Sequence, residues 1–174
     1  MPTMYKRIMI IGRGGSGKTV FADKLGKALG RSVTHLDKLF WMPGWVQAYT
    51  SQEWGRVIQE LADQDEWILD GNYSRSIDIR FARADTVVFF NFSPFRSLSY
   101  AYKRKFFPPT VQVDKAENMP EKVSWAFIKM TFAYPTKRIL TLCKNATGKR
   151  VYIVRSREEG ERALQDILTK AKAI

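Results

Sequence analysis

Short apolar runs alternate with amphipathic stretches along the whole chain. Lys6–Ile11 is the first such run. Glycines follow, then a helical pattern with Val20, Phe21, Leu25, Ala28 and Leu29 on one side, which Gly30 stops. Ser32–Leu36 reads as a second buried strand ended by Asp37. Lys38–Tyr49 carries Pro43-Gly44 among bulky aromatics and reads as a loop or a broken helix. Thr50 or Ser51, with Glu53 in the first turn, caps a helix running to about Asp63. Trp67–Leu69 is a third apolar strand closed by Asp70-Gly71, Ser74–Arg83 is helical, and Thr86–Phe90 is a fourth strand. Ser93-Pro94 starts a helix expected to bury Phe95, Leu98, Tyr102 and Phe106 at spacings of three and four. Pro108-Pro109 ends it, and Thr110–Glu121 reads as a mobile excursion. Val123–Tyr134 and Pro135–Asn145 are helical, Arg150–Val154 is a fifth strand, and Ser156 with Glu159 caps a last helix reaching about Ala171.

Strands that are apolar throughout and alternate with helices imply an α/β fold. The expected form is a five-stranded parallel sheet with helices on both faces. Ligands of such sheets sit beyond the carboxyl ends of the strands. Gly12–Thr19, Asp37 and Asp70 all follow strands at that edge.

Composition narrows the picture. The 174 residues fit one domain, and five Trp, seven Tyr and eleven Phe supply an ample core. The apolar runs are strand-sized, no leader-like segment opens the chain, and Cys143 is alone. A cytoplasmic protein without a membrane partner is the expectation. The net charge of +12 is uneven: residues 96–150 hold twelve Lys/Arg against three Asp/Glu. Such a stretch can attract nucleotide phosphates, nucleic acid or an acidic membrane, or simply form a solvated face.

The chemistry concentrates in Gly12-Arg13-Gly14-Gly15-Ser16-Gly17-Lys18-Thr19, which matches G-x-x-x-x-G-K-[ST] in full between a strand and a helix. Glycines let successive N–H groups turn inward around a phosphate, and the following helix adds its positive end. Lys18 would reach the β- and γ-phosphates of ATP, and the Thr19 hydroxyl would ligate Mg²⁺. A carboxylate must stand behind that hydroxyl. Asp70 is the first candidate and Asp37 the second; Asp37 could instead hold an acceptor hydroxyl and help take its proton. His35, the one histidine, has no partner in the sequence pattern and is expected to be structural. Trp41, Trp45 and Trp54 could stack a base or sugar, or pack a core. No Asn-Lys-x-Asp guanine reader or Asp-x-x-Gly switch occurs, which disfavours a GTPase.

With these residues in view, the chain resembles the small P-loop kinases related to adenylate kinase, and among them the bacterial DNA topology modulation proteins. The resemblance rests on the phosphate loop, Leu36–Trp45, Trp67–Tyr73 with Arg80, Ala84-Asp85-Thr86, Pro120-Glu121-Lys122, and Tyr134-Pro135 with Arg138. It implies a single domain over 1–174 with strand order 2-3-1-4-5, an acceptor-side insert over about 38–66 and a lid over about 104–138. It further implies Mg²⁺ positioned by Asp70-Gly71, and a lid arginine, matched by Arg104, on the transferring phosphoryl group. Asp37, Trp45, Asn72 and Arg80 would face the acceptor. A second lid arginine is replaced by Tyr100, so its contact is missing or comes from Lys103, Lys105 or Arg138. The expected activity is phosphoryl transfer from ATP–Mg²⁺ to a small acceptor such as a nucleoside or nucleotide. The alternative is an ATP-dependent protein that acts on DNA through its basic segment.

Overall fold

The computed structural model describes residues 4–106 and 125–173, except the side chains of Arg104 and Lys105. The elements in chain order are β1 (Arg7–Gly12), α1 (Lys18–Leu29), β2 (Val33–His35), α2 (Leu36–Phe40), β3 (Trp41–Met42), β4 (Val46–Gln47), α3 (Ser51–Ala62), β5 (Trp67–Asp70), α4 (Ile77–Arg83), β6 (Thr86–Phe90), α5 (Pro94–Phe106), α6 (Trp125–Phe132), α7 (Thr136–Lys144), β7 (Arg150–Val154) and α8 (Arg157–Ala171). A turn of 3-10 helix, Ser74–Ser76, leads into α4.

Five strands form a parallel sheet in the order β2-β5-β1-β6-β7. The order expected in chain numbering was 2-3-1-4-5. The difference comes from the β3–β4 hairpin, an antiparallel pair with Trp41 opposite Gln47 and Met42 opposite Val46. The hairpin lies outside the main sheet and takes two numbers. It occupies much of what read as a loop or broken helix, because strands of two residues have no period to detect.

Alternation along the strands feeds two cores. Ile8 and Ile10 of β1, Ile68, Val88 and Phe90 pack with Phe21, Ala22 and Leu25 of α1 and Ala163, Leu164 and Ile167 of α8. Met9, Ile11, Leu69, Val87 and Phe89 face the other way, against Trp54 and Ile58 of α3, Ile77 and Phe81 of α4, and Ile139 and Cys143 of α7. Each fully buried aliphatic side chain contributes about 1.5–3 kcal/mol of transfer free energy, so the sheet is held from both sides.

Local signals shaped several boundaries. Thr50 and Glu53 form a reciprocal capping box at α3. At α8 only half of that motif forms: Ser156 Oγ accepts from the Glu159 N–H, while the Glu159 carboxylate accepts from the Arg155 N–H instead. Two expected helix faces are rotated. In α1 the buried set is Phe21, Ala22, Leu25 and Gly26, and Val20 is exposed. A Cβ at Gly26 would stand 2.5 Å from Val33 Cγ2, so the returning chain presses on that glycine face. In α5, Phe95, Tyr102 and Phe106 are exposed, and Ser97 and Ala101 are the buried positions. Small residues face inward there because the glycine turn after β1 passes against them. The second strand stops at His35, so Asp37 belongs to the first turn of α2 rather than to a strand end.

At the opposite end of the sheet, one carboxylate gathers three consecutive N–H groups. Asp85 Oδ1 accepts from Tyr5 N–H at 2.9 Å, and Oδ2 accepts from Lys6 and Arg7 at 3.1 and 2.8 Å. Its main chain donates to Arg7 O and accepts from Arg150 N–H.

Candidate functional site

The chain leaves β1 at Gly12 and enters α1 at Lys18, and the turn between them is closely walled. A Cβ on Gly12 would lie 2.5 Å from Phe90 O, and one on Gly15 would lie 2.3 Å from Ser97 O. Gly15 also has φ +81°, which a side chain would resist. Phe127 of α6 covers Gly14, whose Cβ would come within 2.7 Å of that ring. Ser16 folds back, its N–H and Oγ both donating to Arg13 O, at 3.3 and 2.7 Å. Lys18 Nζ reaches the same carbonyl at 3.4 Å, so its ammonium lies across the turn. The first-turn N–H groups of α1 lack intrahelical partners and carry the positive end of the helix.

Arg13 points away from this cradle. Only 6% exposed, it donates from Nη1 to Phe92 O at 2.7 Å, from Nε to Thr131 O at 3.0 Å, and from Nη2 to Thr136 Oγ1 at 2.6 Å. It lies over the Tyr134 ring at 5.3 Å. Burial lowers the guanidinium pKa, and Tyr134 acts in the opposite sense. The turn is thereby tied to the loop after β6, to α6 and to the start of α7.

Thr19 and Asp70 meet. The Thr19 hydroxyl donates to Asp70 Oδ2 at 2.9 Å. The same oxygen is 3.1 Å from His35 Nδ1, and His35 Nε2 is 3.0 Å from Asp23 Oδ1. His35 therefore has two carboxylate partners where the sequence offered none. Burial opposes its protonation, but hydrogen bonding and charge from Asp70, then the charge and hydrogen bond of Asp23, outweigh it and raise the pKa. A signal was present, since Asp23 follows Thr19 by four residues and so shares its helix face. Asp70 Oδ1 is buried without a partner. Among the described residues no group of three or more His, Cys, Asp and Glu is placed to hold a metal by itself. The donor set suits Mg²⁺ held largely by phosphate oxygens and waters: a hydroxyl, and a carboxylate oxygen whose desolvation is unmet.

The other residues expected at an acceptor divide into two groups. Arg80 is fully buried and donates to Gly71 O at 2.8 Å and to Asn72 O; its Nε has no partner. Burial pulls its pKa down to about 10, with nearby Tyr134 and Asp70 partly restoring it. Asn72 Oδ1 accepts from Gly12 N–H at 3.0 Å and from Tyr134 OH at 3.1 Å, which joins the loop after β5, the end of β1 and the link between α6 and α7. These two residues fasten the site's frame. Asp37 is exposed and accepts from Tyr73 OH at 2.7 Å; burial, then Asp37 itself, raises the Tyr73 pKa. Trp45 sits in the hairpin turn, its ring 5.7 Å from Trp41, with Nε1 buried and unpartnered. Arg138 pairs with Asp78 and lies 3.4 Å from Ser74 O, on the outside of α4. The Arg104 side chain, Thr110–Glu121, most of the expected lid and the Pro120-Glu121-Lys122 block lie outside the described residues.

No known protein-family profile and no curated protein sequence is significantly similar to this chain. No helix among the described residues is long and apolar enough to cross a membrane.

Proposed function

We propose that this chain is a cytoplasmic P-loop nucleotide-binding protein. More particularly, it is an adenylate-kinase-like phosphotransferase that moves the γ-phosphate of ATP to a small acceptor of the nucleoside or nucleotide class. The observation that carries the reading is the hydrogen bond from Thr19 to Asp70 at the carboxyl edge of a parallel sheet, with the Lys18 ammonium across a turn that is closely walled at Gly12, Gly14 and Gly15.

On this reading the N–H groups of Gly14–Thr19 bind the β-phosphate. The Lys18 ammonium leaves Arg13 O for the β- and γ-oxygens. Thr19 and Asp70 hold Mg²⁺, which supplies charge neutralisation for the phosphoryl oxygens when bound. Phosphoryl transfer asks mainly for positioning and charge, and Arg104 supplies a guanidinium to the moving group, with Arg138 as the reserve. Asp37 orients the acceptor hydroxyl, and Trp45 with Trp41 offers it an aromatic wall. Asn72 and Arg80 act beneath that surface, through the backbone they hold.

The test is Lys18→Ala, assayed for ATP affinity and for ATP consumption over a panel of nucleosides, nucleotides and small hydroxylated metabolites, with a melt as control. A large loss of affinity or turnover in a folded variant is expected. Unchanged affinity and rate sink the assignment. The excess of nine positive charges over 96–150 favours a second reading, a nucleic-acid-associated ATPase. In that case DNA affinity falls steeply with salt and no acceptor raises ATP consumption.

A further inference from the structure

His35 has no part in the reaction outlined above, yet it is built into the site's floor. Its ring is 6% exposed, and each nitrogen faces a carboxylate on a different element, Asp70 at the end of β5 and Asp23 on α1. Thr19, one helical turn before Asp23, donates to the same Asp70 oxygen that His35 contacts. The four side chains close a ring from α1 through β5 and β2 back to α1. Two contacts on Oδ2 fix the plane of the Asp70 carboxylate and occupy that oxygen. Its coordinating capacity remains on Oδ1, which is buried and without a partner. Outer partners of this kind set the orientation of a metal-binding group.

We infer that Asp23 and His35 form a positioning pair that turns Asp70 so that Oδ1 is presented to the divalent cation of a bound Mg²⁺–nucleotide. The inference rests on the nucleotide reading above. His35 and Asp23 are positioning residues, because they act through Asp70.

Two near-isosteres separate positioning from bulk stability. In His35→Asn the side-chain amide takes the place of Nδ1 and can still donate to Asp70. In His35→Gln it takes the place of Nε2 and serves only Asp23. Each variant keeps one of the two contacts, the buried one to Asp70 or the part-buried one to Asp23, and the melt reads the stability each loses, so a Mg²⁺ response that does not follow the melt reports positioning. Asp23→Ala, at a side chain 30% exposed, removes the distant support without altering the imidazole and is the variant best placed to fold. ATP affinity is measured by equilibrium titration without metal and over a Mg²⁺ series, with a melt for each variant. Metal-free affinity should be unchanged throughout. The Mg²⁺ concentration giving half of the metal-dependent gain should rise about tenfold in His35→Gln and severalfold in Asp23→Ala. It should stay near wild type in His35→Asn. Equal shifts in the Asn and Gln variants, or none in Gln and Ala, overturn the inference while leaving the nucleotide site standing. A wild-type protein whose ATP affinity ignores Mg²⁺ overturns the metal site, and the inference with it.

Discussion

Replacing Arg80 with Met would test how the site's frame is held. Arg80 is a fully buried cation, and among the described residues no carboxylate is paired with it. Two effects oppose each other. Burial pulls the guanidinium down to about 10, a differential of roughly 3 kcal/mol against the charged form that Met would relieve. Against this, Met gives up two charge-assisted hydrogen bonds, worth about 1.5–3 kcal/mol each, and leaves the carbonyls of Gly71 and Asn72 unserved. The loss exceeds the gain, by about 2 kcal/mol. For a chain of this length that corresponds to a melting midpoint lower by about 4–8 °C. Arg80→Lys sharpens the test: the charge and its burial stay, but one ammonium cannot serve both carbonyls as the planar fork does. Lys should therefore cost at least as much as Met. Urea unfolding at constant slope, followed by tryptophan fluorescence and by circular dichroism, measures both variants. If Lys lies within about 0.5 kcal/mol of wild type, or Met is stabilising, the fork does not hold the strand end.

Three further outcomes are expected. Asp70→Asn should raise the Mg²⁺ requirement for turnover by about tenfold or more while sparing metal-free nucleotide binding; if Asp37→Asn shows that phenotype instead, the two carboxylates exchange roles. Gly15→Ala forces a Cβ to 2.3 Å from Ser97 O at φ +81°, so it should cost about 2 kcal/mol or more, and a melt indistinguishable from wild type refutes the close approach. Burial pushes the Cys143 thiol up to about 11; because the neutral thiol is the form held below that pH, alkylation at pH 8 should be slow in the folded protein and complete in urea. Native labelling as fast as that of a free small thiol contradicts its placement.

β1, β5 and β6 were legible as short apolar runs, unlike the mixed Val33-Thr34-His35 of β2, and α3 was legible because its cap is written in four residues, Thr50–Glu53. Helix faces were read less well. Phe95, Leu98, Tyr102 and Phe106 at helical spacing suggested the inner face of α5, but contact with the glycine turn selects small side chains. The Ser97–Ala101 pair, four apart, was the better signal. The glycine turn between β1 and α1 could be placed from the sequence alone, whereas the surrounding ties could not. Arg13 reaches Thr131 and Thr136, Asn72 reaches Gly12 and Tyr134, and His35 reaches Asp70 across 35 positions. Such pairs have no local period, because they exist only once the sheet has brought distant strand ends together.

Asp85 gives this arrangement a mechanical character. By taking the N–H groups of Tyr5, Lys6 and Arg7 and bonding through its main chain to Arg7 and Arg150, it clamps three adjacent strands at their lower edge. β1 is then a beam fixed at one end, with the glycine turn at its tip roughly 20 Å away. A push at the tip is met by bending and twisting of six residues, since register cannot slide at the clamp. Compliance is concentrated in the turn and in the side-chain ties around it. Loosening Asp85 would soften the turn from the far side of the sheet, without altering any residue of the turn itself.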